Sequence, residues 1–298
     1  MPKSSLVHAQ PVLRFAPSPN GRLHLGHALS ALTNQVVAQR LGGRLLLRIE
    51  DIDATRCRPE FEQAIHEDLA WLGIAFDGAT RRQSDHLSAY AEALGKLQAR
   101  ELVYPCFCSR SEVKRKTALR RAEAGGEWPA GPDNAPLYPG TCRALEPADA
   151  KRHVAAGAPH VLRLAMDRAI EAVGAPAVYV IFDAGGATTL VSADPARWGD
   201  VVLARKETPT SYHLSVVVDD ALQGVSHVVR GRDLEAATDI HVVLQRLLGL
   251  ATPLYHFHPL LLDEGGDKLA KSRSSESLAD LRAKGVTAGE IRMRLGFG

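Results

Sequence analysis

A doubly wound α/β fold with a parallel sheet is predicted by three features of this 298-residue sequence. The apolar segment Val12–Phe15 reads as a strand, Ala16-Pro-Ser-Pro-Asn-Gly-Arg22 as a loop, and Leu23 to Leu41, with Leu, Ala and Val at helical spacing, as a helix. Gly42-Gly43 stops that helix and Arg44-Leu-Leu-Leu-Arg-Ile49 reads as a buried strand, which closes a βαβ unit. Strand and helix signals recur along the rest of the chain, as a parallel sheet with helical crossovers requires.

Further along, Pro59–Leu72 and His86–Ala99 look like amphipathic helices and Leu102–Phe107 like a strand. Gly, Pro, Ala and charge dominate between about 108 and 160, where helical periodicity occurs only in Ser111–Ala124, and the stretch reads as an inserted or peripheral subdomain. Strands Val178–Phe182 and Val201–Leu203 follow, then an apolar run Leu214–Val218 with a helix after it, a strand at Val228–Val229 and a helix over Leu234–Leu248. A polar, glycine-bearing loop, Asp263 to Ser272, precedes a last helical stretch, and no internal repeat is visible. The expected division is 1–105 for the first half of the sheet domain, 106–160 for the insertion, 161–250 for the second half and 251–298 for the loop and helical end.

Hydrophobic residues at 45% and charged residues at 23% describe an ordinary folded protein, not a disordered or coiled-coil chain. A net charge of +2 excludes recognition of a polyanion by bulk electrostatics, so any such site is a local patch, with Lys114-Arg-Lys116 and Arg120-Arg121 as the candidate or, equally, a solvated helix face. No apolar run approaches the roughly 20 residues of a membrane span, and no h-region follows Lys3, so a cytoplasmic location is expected. Four cysteines are too few for a disulfide scaffold, and the close pair Cys106/Cys108 suggests metal before a bridge.

Pro17-Ser-Pro-Asn-Gly-Arg-Leu-His-Leu-Gly-His27 stands at the predicted strand-to-helix junction. A helix N-terminus offers free N–H groups and a positive dipole end to phosphate; His24 and His27 add donors there, and Gly26 lets a flat base approach the backbone. Alone, such an H-x-x-H is more often a surface loop, and as the start of a zinc site it lacks a further suitably spaced ligand. Far along the chain, Lys268-Leu-Ala-Lys-Ser272 puts two lysines on a loop that can close over a leaving pyrophosphate; alone it too is more often a solvated basic loop.

Together, His24-Leu-Gly-His27 and Lys268-Leu-Ala-Lys-Ser272 resemble the HIGH and KMSKS signatures of class I aminoacyl-tRNA synthetases. Arg14-Phe-Ala-Pro-Ser18, Leu47-Arg-Ile-Glu-Asp51 with Asp53, and Val216-Val-Val-Asp-Asp220 through Val229-Arg-Gly231 are similar to the glutamyl-tRNA synthetase branch, over almost the whole chain. The fold this implies is the Rossmann-like class I catalytic core. Chemically the blocks suit glutamate: Arg14 and Arg230 can each fork onto a carboxylate, and Glu50 can hold the ammonium. Which arginine takes which carboxylate stays open, and outside this context the three residues would read as an ion-pair network. The resemblance adds Ala16, Ser18 and Tyr212 as amino-acid contacts, and His24, Gly26, His27 and Lys271 as contacts to ATP with its Mg²⁺, with His24, His27, Lys268 and Lys271 serving catalysis. Serine or another residue often stands where this chain has Ala270, but Lys271 is retained.

Cys106-Phe-Cys108 and Tyr138-Pro-Gly-Thr-Cys142 offer three thiolates and a phenol oxygen, a tetrahedral set for one Zn²⁺, with buried free thiols as the alternative. The set resembles the zinc subdomain of one branch of glutamyl-synthetase-like proteins, although the gap from Cys108 to Tyr138 is long. The stretch after Ser272 is far shorter than the roughly 100 residues of a domain, so no anticodon-binding domain is expected. That combination is similar to the glutamyl-queuosine tRNA(Asp) synthetases. The resemblance implies a ligase, monomeric, that makes glutamyl-adenylate and esterifies the queuosine in the anticodon loop of tRNA(Asp). The rivals are a truncated enzyme charging tRNA(Glu), a different HxGH nucleotidylyltransferase, and a catalytically silent tRNA-binding paralogue.

Overall fold

The computed structural model describes residues 10–183, 185–205, 208–261 and 276–298. In chain order the elements are β1 (Val12–Phe15), α1 (Leu25–Arg40), β2 (Arg44–Ile49), α2 (Pro59–Trp71), β3 (Arg81–Arg82), α3 (Leu87–Ala99), β4 (Val103–Cys106), α4 (Arg110–Ala124) and α5 (Pro147–Ala155). There follow β5 (Val161–Leu164), α6 (Met166–Val173), β6 (Val178–Phe182), β7 (Thr188–Ser192), β8 (Val202–Arg205), α7 (Tyr212–Leu222), β9 (His227–Gly231), α8 (Thr238–Leu248), β10 (Leu254–His258), α9 (Leu278–Ala283) and α10 (Ala288–Arg294).

β1 pairs in parallel with β2, and β2 with β3; β9 pairs in parallel with β10, and β10 with β6, while β7 closes that edge antiparallel. Ser226 joins the two groups: its N–H donates to Val12 O at 3.0 Å and its hydroxyl accepts from Val12 N at 2.9 Å. β1 and β9 are thus neighbours, and the strand order reverses between them. The physical cause of the parallel sheet is legible in β2, where Leu45, Leu46, Leu47 and Ile49 are all buried: a strand covered by helices on both faces is a continuous apolar run. Arg48 interrupts that run and is nonetheless fully buried.

Three local expectations change. The apolar run Leu214–Val218 lies inside α7, not ahead of a helix; every residue from Leu214 to Asp220 is buried, so no amphipathic period shows. The strand expected at Leu102–Phe107 is β4, but it joins a second, antiparallel sheet with β5 and β8. β10 is a strand that the sequence does not announce, because two of the five residues in Leu-Tyr-His-Phe-His are histidines.

Candidate functional site

A cleft of about 570 Å³ opens where the strand order reverses, at the carboxyl ends of β1, β2, β9 and β10. Open α/β sheets bind ligands at this place, because the loops diverge there and leave a crevice. Among its walls are Arg14, Ala16, Ser18, His24, Gly26, His27, Glu50, Tyr212 and Arg230, contributed by β1, the loop after it, α1, β2's end, α7 and β9. Lys268 and Lys271 lie outside the described residues.

The α1 N-terminus forms one side. His24 is its N-cap, with its Nδ1 accepting from Gly26 N at 3.1 Å, and His27 Nδ1 accepts from His24 N at 3.2 Å. Both Nδ1 atoms are acceptors, so each neutral ring carries its proton on Nε2 and can donate with it. The rings lie 3.9 Å apart, centroid to centroid. A Cβ on Gly26 would come within 3.0 Å of the His24 ring, so a side chain there would press on the cap. Asn34, fully buried on α1, donates to Val229 O at 3.2 Å and ties this helix to β9.

Opposite stand the charged groups. Arg48 NH1 donates to Asp220 Oδ1 at 2.7 Å and its NH2 to Glu50 Oε1 at 3.2 Å. Arg14 Nε donates to the same Asp220 oxygen at 3.0 Å. Burial pushes the Asp220 carboxyl up, but Arg14 and Arg48 outweigh it and hold it below the usual carboxylate range. Glu50 goes the other way: burial raises it, and the pull of Arg48 and Arg14 does not make up the difference. A raised, half-buried carboxyl on a cleft wall is a docking point for an ammonium group, whose charge would favour the ionised form.

Arg230 is held differently. It is 5% exposed, donates through NH2 to Thr238 Oγ1 at 2.7 Å and lies within hydrogen-bond reach of His241 Nδ1 at 3.2 Å, with the rings of Tyr255 and Phe257 at 5.4 and 5.7 Å. Its Nε has no partner, and among the described residues no carboxylate pairs with it.

Away from the cleft, the sulfurs of Cys106, Cys108 and Cys142 all lie within 4.8 Å of one another. Cys108 Sγ stands 3.5 Å from Cys142 Sγ and 3.8 Å from Tyr138 Oη. A tetrahedral zinc with bonds of about 2.3 Å spaces its sulfurs about 3.8 Å apart, so the donor set fits that ion in number, type and spread. Arg163 stacks over the Tyr138 ring at 3.9 Å, and Lys116 Nζ reaches Cys108 Sγ at 3.8 Å. Cys57 stands apart, 3.7 Å from Ser18 Oγ. Among the described side chains of α4 only Thr117 is buried, while Lys114, Arg115, Arg120 and Arg121 are exposed. Among the described residues no helix is long and apolar enough to cross a membrane.

Sequence reasoning did not single out Arg48, Asp220, Thr238, His241 or His258, which lines the cleft beside Gly231. One signal was available: a charge inside an otherwise apolar strand or helix, as at Arg48 and Asp220, is retained only when paired.

The chain matches, over residues 11–291, the model of the catalytic domain of class I tRNA synthetases of the E and Q type. It is 46% identical to a glutamyl-Q tRNA(Asp) synthetase of Rhodobacter capsulatus over 299 residues, covering 96% of this chain and 100% of that protein. A protein of the same name from Symbiobacterium thermophilum is 39% identical, with 92% and 82% covered, and a glutamate–tRNA ligase 2 of Nitrosococcus oceani is 35% identical, with 91% and 56% covered. The structure superposes on glutamate–tRNA synthetase from Elizabethkingia anophelis with a TM-score of 0.71 at 27% identity; it covers 88% of this chain and about half, 53%, of that one.

Proposed function

The chain belongs to the family of class I glutamyl- and glutaminyl-type tRNA synthetase catalytic domains, and on that premise we propose that it activates L-glutamate with ATP and transfers the glutamyl group to the queuosine at the wobble position of tRNA(Asp). It is a ligase. The observation that carries the reading is the cleft itself, where Glu50, Arg14 and Arg230 stand within one chamber beside the His24/His27 helix terminus. The name shared by the relatives from R. capsulatus and S. thermophilum supports the choice of acceptor.

In this reading Glu50 takes the substrate ammonium. Arg230, which pairs with no carboxylate among the described residues, takes one carboxylate; Arg14, already shared with Asp220, helps with the other, and Ala16, Ser18 and Tyr212 complete the contacts. The substrate α-carboxylate attacks the α-phosphorus of ATP in line, pyrophosphate leaves, and a queuosine hydroxyl then attacks the adenylate carbonyl with release of AMP. Positioning and charge stabilisation supply the rate. His24 and His27 donate from Nε2 to the triphosphate, Gly26 leaves room for the nucleoside, Lys268 and Lys271 neutralise the departing charge, and Mg²⁺ accompanies ATP. Cys106, Cys108, Tyr138 and Cys142 hold one zinc ion, which braces the segment 106–160. The compartment is the cytoplasm, where these substrates meet.

Labelled glutamate, offered with ATP to tRNA(Asp) carrying queuosine, the same tRNA carrying guanosine, periodate-oxidised queuosine tRNA, and tRNA(Glu), tests the acceptor. Label on the first alone is expected, because oxidation destroys the cis-diol. Label on tRNA(Glu) instead would identify an enzyme of ordinary glutamyl-tRNA synthesis.

A further inference from the structure

Arg230 sits on a mount with no negative charge in it. Its NH2 meets a hydroxyl, Thr238 Oγ1, and its NH1 an imidazole, His241 Nδ1. A guanidinium can only donate, so His241 must accept at Nδ1 and keep its proton on Nε2. That Nε2 stands 3.2 Å from His213 Nδ1, which accepts in turn. Two neutral rings, tilted at 53° to each other, therefore back the cation, with Tyr212 at 5.6 Å from each and Trp198 edge-on to His213. Burial and the charge of Arg230 push the pKa of His213 down to about 4 and that of His241 well below its ordinary value, consistent with the neutral pair.

Three nearby acidic groups are committed elsewhere. Asp239, the immediate neighbour of Thr238, pairs with Arg197 at 2.7 Å; Asp220 pairs with Arg14 and Arg48, and Glu50 with Arg48. An acidic residue at 238 or 241 would neutralise Arg230 outright. The chain has a hydroxyl and an imidazole there, and the cation lines the cleft with its charge unspent.

We propose that His241, backed by His213, is a positioning residue that holds Arg230 as an uncompensated buried cation, and that this neutral mount sets the preference for a substrate with an anionic side chain, glutamate, over its neutral amide, glutamine. The proposal rests on the functional reading above and adds to it the origin of selectivity. A glutamate carboxylate completes the ion pair that the described residues leave open, whereas the amide of glutamine leaves a buried charge without a partner, which low-dielectric surroundings penalise. The faces of Tyr255 and Phe257 steady the cation without neutralising it.

The test compares His241→Glu, His241→Gln and Thr238→Asp by amino-acid-dependent ATP–pyrophosphate exchange, with thermal melts to establish folding. Each acidic variant gives Arg230 an internal counter-ion by a separate route, so one serves if the other fails to fold. Both are expected to raise KM for glutamate by roughly tenfold or more, to leave KM for ATP near its original value, and to narrow the glutamate-to-glutamine ratio. His241→Gln, which keeps a neutral acceptor, should stay close to the unaltered protein. An unchanged glutamate KM in a folded acidic variant, equal damage from His241→Gln, or a parallel rise in KM for ATP would overturn the proposal. Absence of glutamate-dependent exchange by the unaltered protein would instead remove the functional reading, and the proposal with it.

Discussion

Arg14 and Asp220 come from opposite parts of the chain and meet in the interior at 3.0 Å, Nε to Oδ1. That contact is half of a shared pair, since Arg48 donates to the same oxygen at 2.7 Å. One carboxylate thus holds two guanidinium groups, one of them on the cleft wall.

Asp220→Asn should therefore be expensive. It leaves two buried cations with one counter-charge fewer, for which a loss of about 3–5 kcal/mol is expected. Chemical denaturation reads the loss, and KM for glutamate should rise because Arg14 is no longer aimed. A denaturation midpoint equal to that of the unaltered protein would show that the pair contributes nothing net.

Mild acid should weaken the fold through two histidines. His241 is buried and His213 half-buried, and both rings are neutral, the pKa of His213 being lowered to about 4 and that of His241 well below its ordinary value. Above pH 6.5 neither the folded nor the unfolded state binds a proton at these rings; below it the unfolded state does and the folded state does not. Stability is thus fully present above 6.5 and falls towards pH 4, by about 1.4 kcal/mol per pH unit for each ring. Melting temperatures between pH 7.5 and 5 check this, and His213→Phe should flatten the slope.

Metal analysis of protein purified without added zinc is expected to find one zinc per chain. Cys142→Ser should lose it, because a tetrahedral site with three sulfurs has no spare ligand. Retention of zinc by that variant would reduce the cluster to buried thiols.

Lys271→Ala should slow glutamate-dependent pyrophosphate exchange by about 3 kcal/mol in activation free energy, the loss typical of one preorganised donor to developing charge. An unchanged rate would remove the lysine from the chemistry.

Charge reversal of the exposed Lys114 and Arg115 on α4 should weaken tRNA transfer and flatten its salt dependence, while exchange without tRNA is unaffected. Equal transfer at every salt concentration would mark that helix face as merely solvated.

Much of this was legible without coordinates wherever the signal is local. Glycine at 26 and the flanking histidines announce a helix terminus because capping involves residues next to one another; the apolar run in β2 announces a doubly covered strand; and the Cys-x-Cys spacing announces a thiol cluster because the two sulfurs stand only two residues apart. Where burial erases periodicity, as in α7, or histidines stand in apolar positions, as in β10, the local signal fails.

The sequence by itself determined the α/β class, the motifs at 24–27 and 268–272, and the residue types able to bind an amino acid and a nucleotide. Only the tertiary structure decided that β1 and β9 are neighbours, and hence that Arg14 and Arg230 share a chamber. It also decided that they are unlike: Arg14 is neutralised by Asp220, while Arg230 rests on Thr238 and His241 and keeps its charge. The physical reason is that the charge an arginine offers a ligand depends on the counter-ions within a few ångströms, and those come from strands and helices far away in the chain.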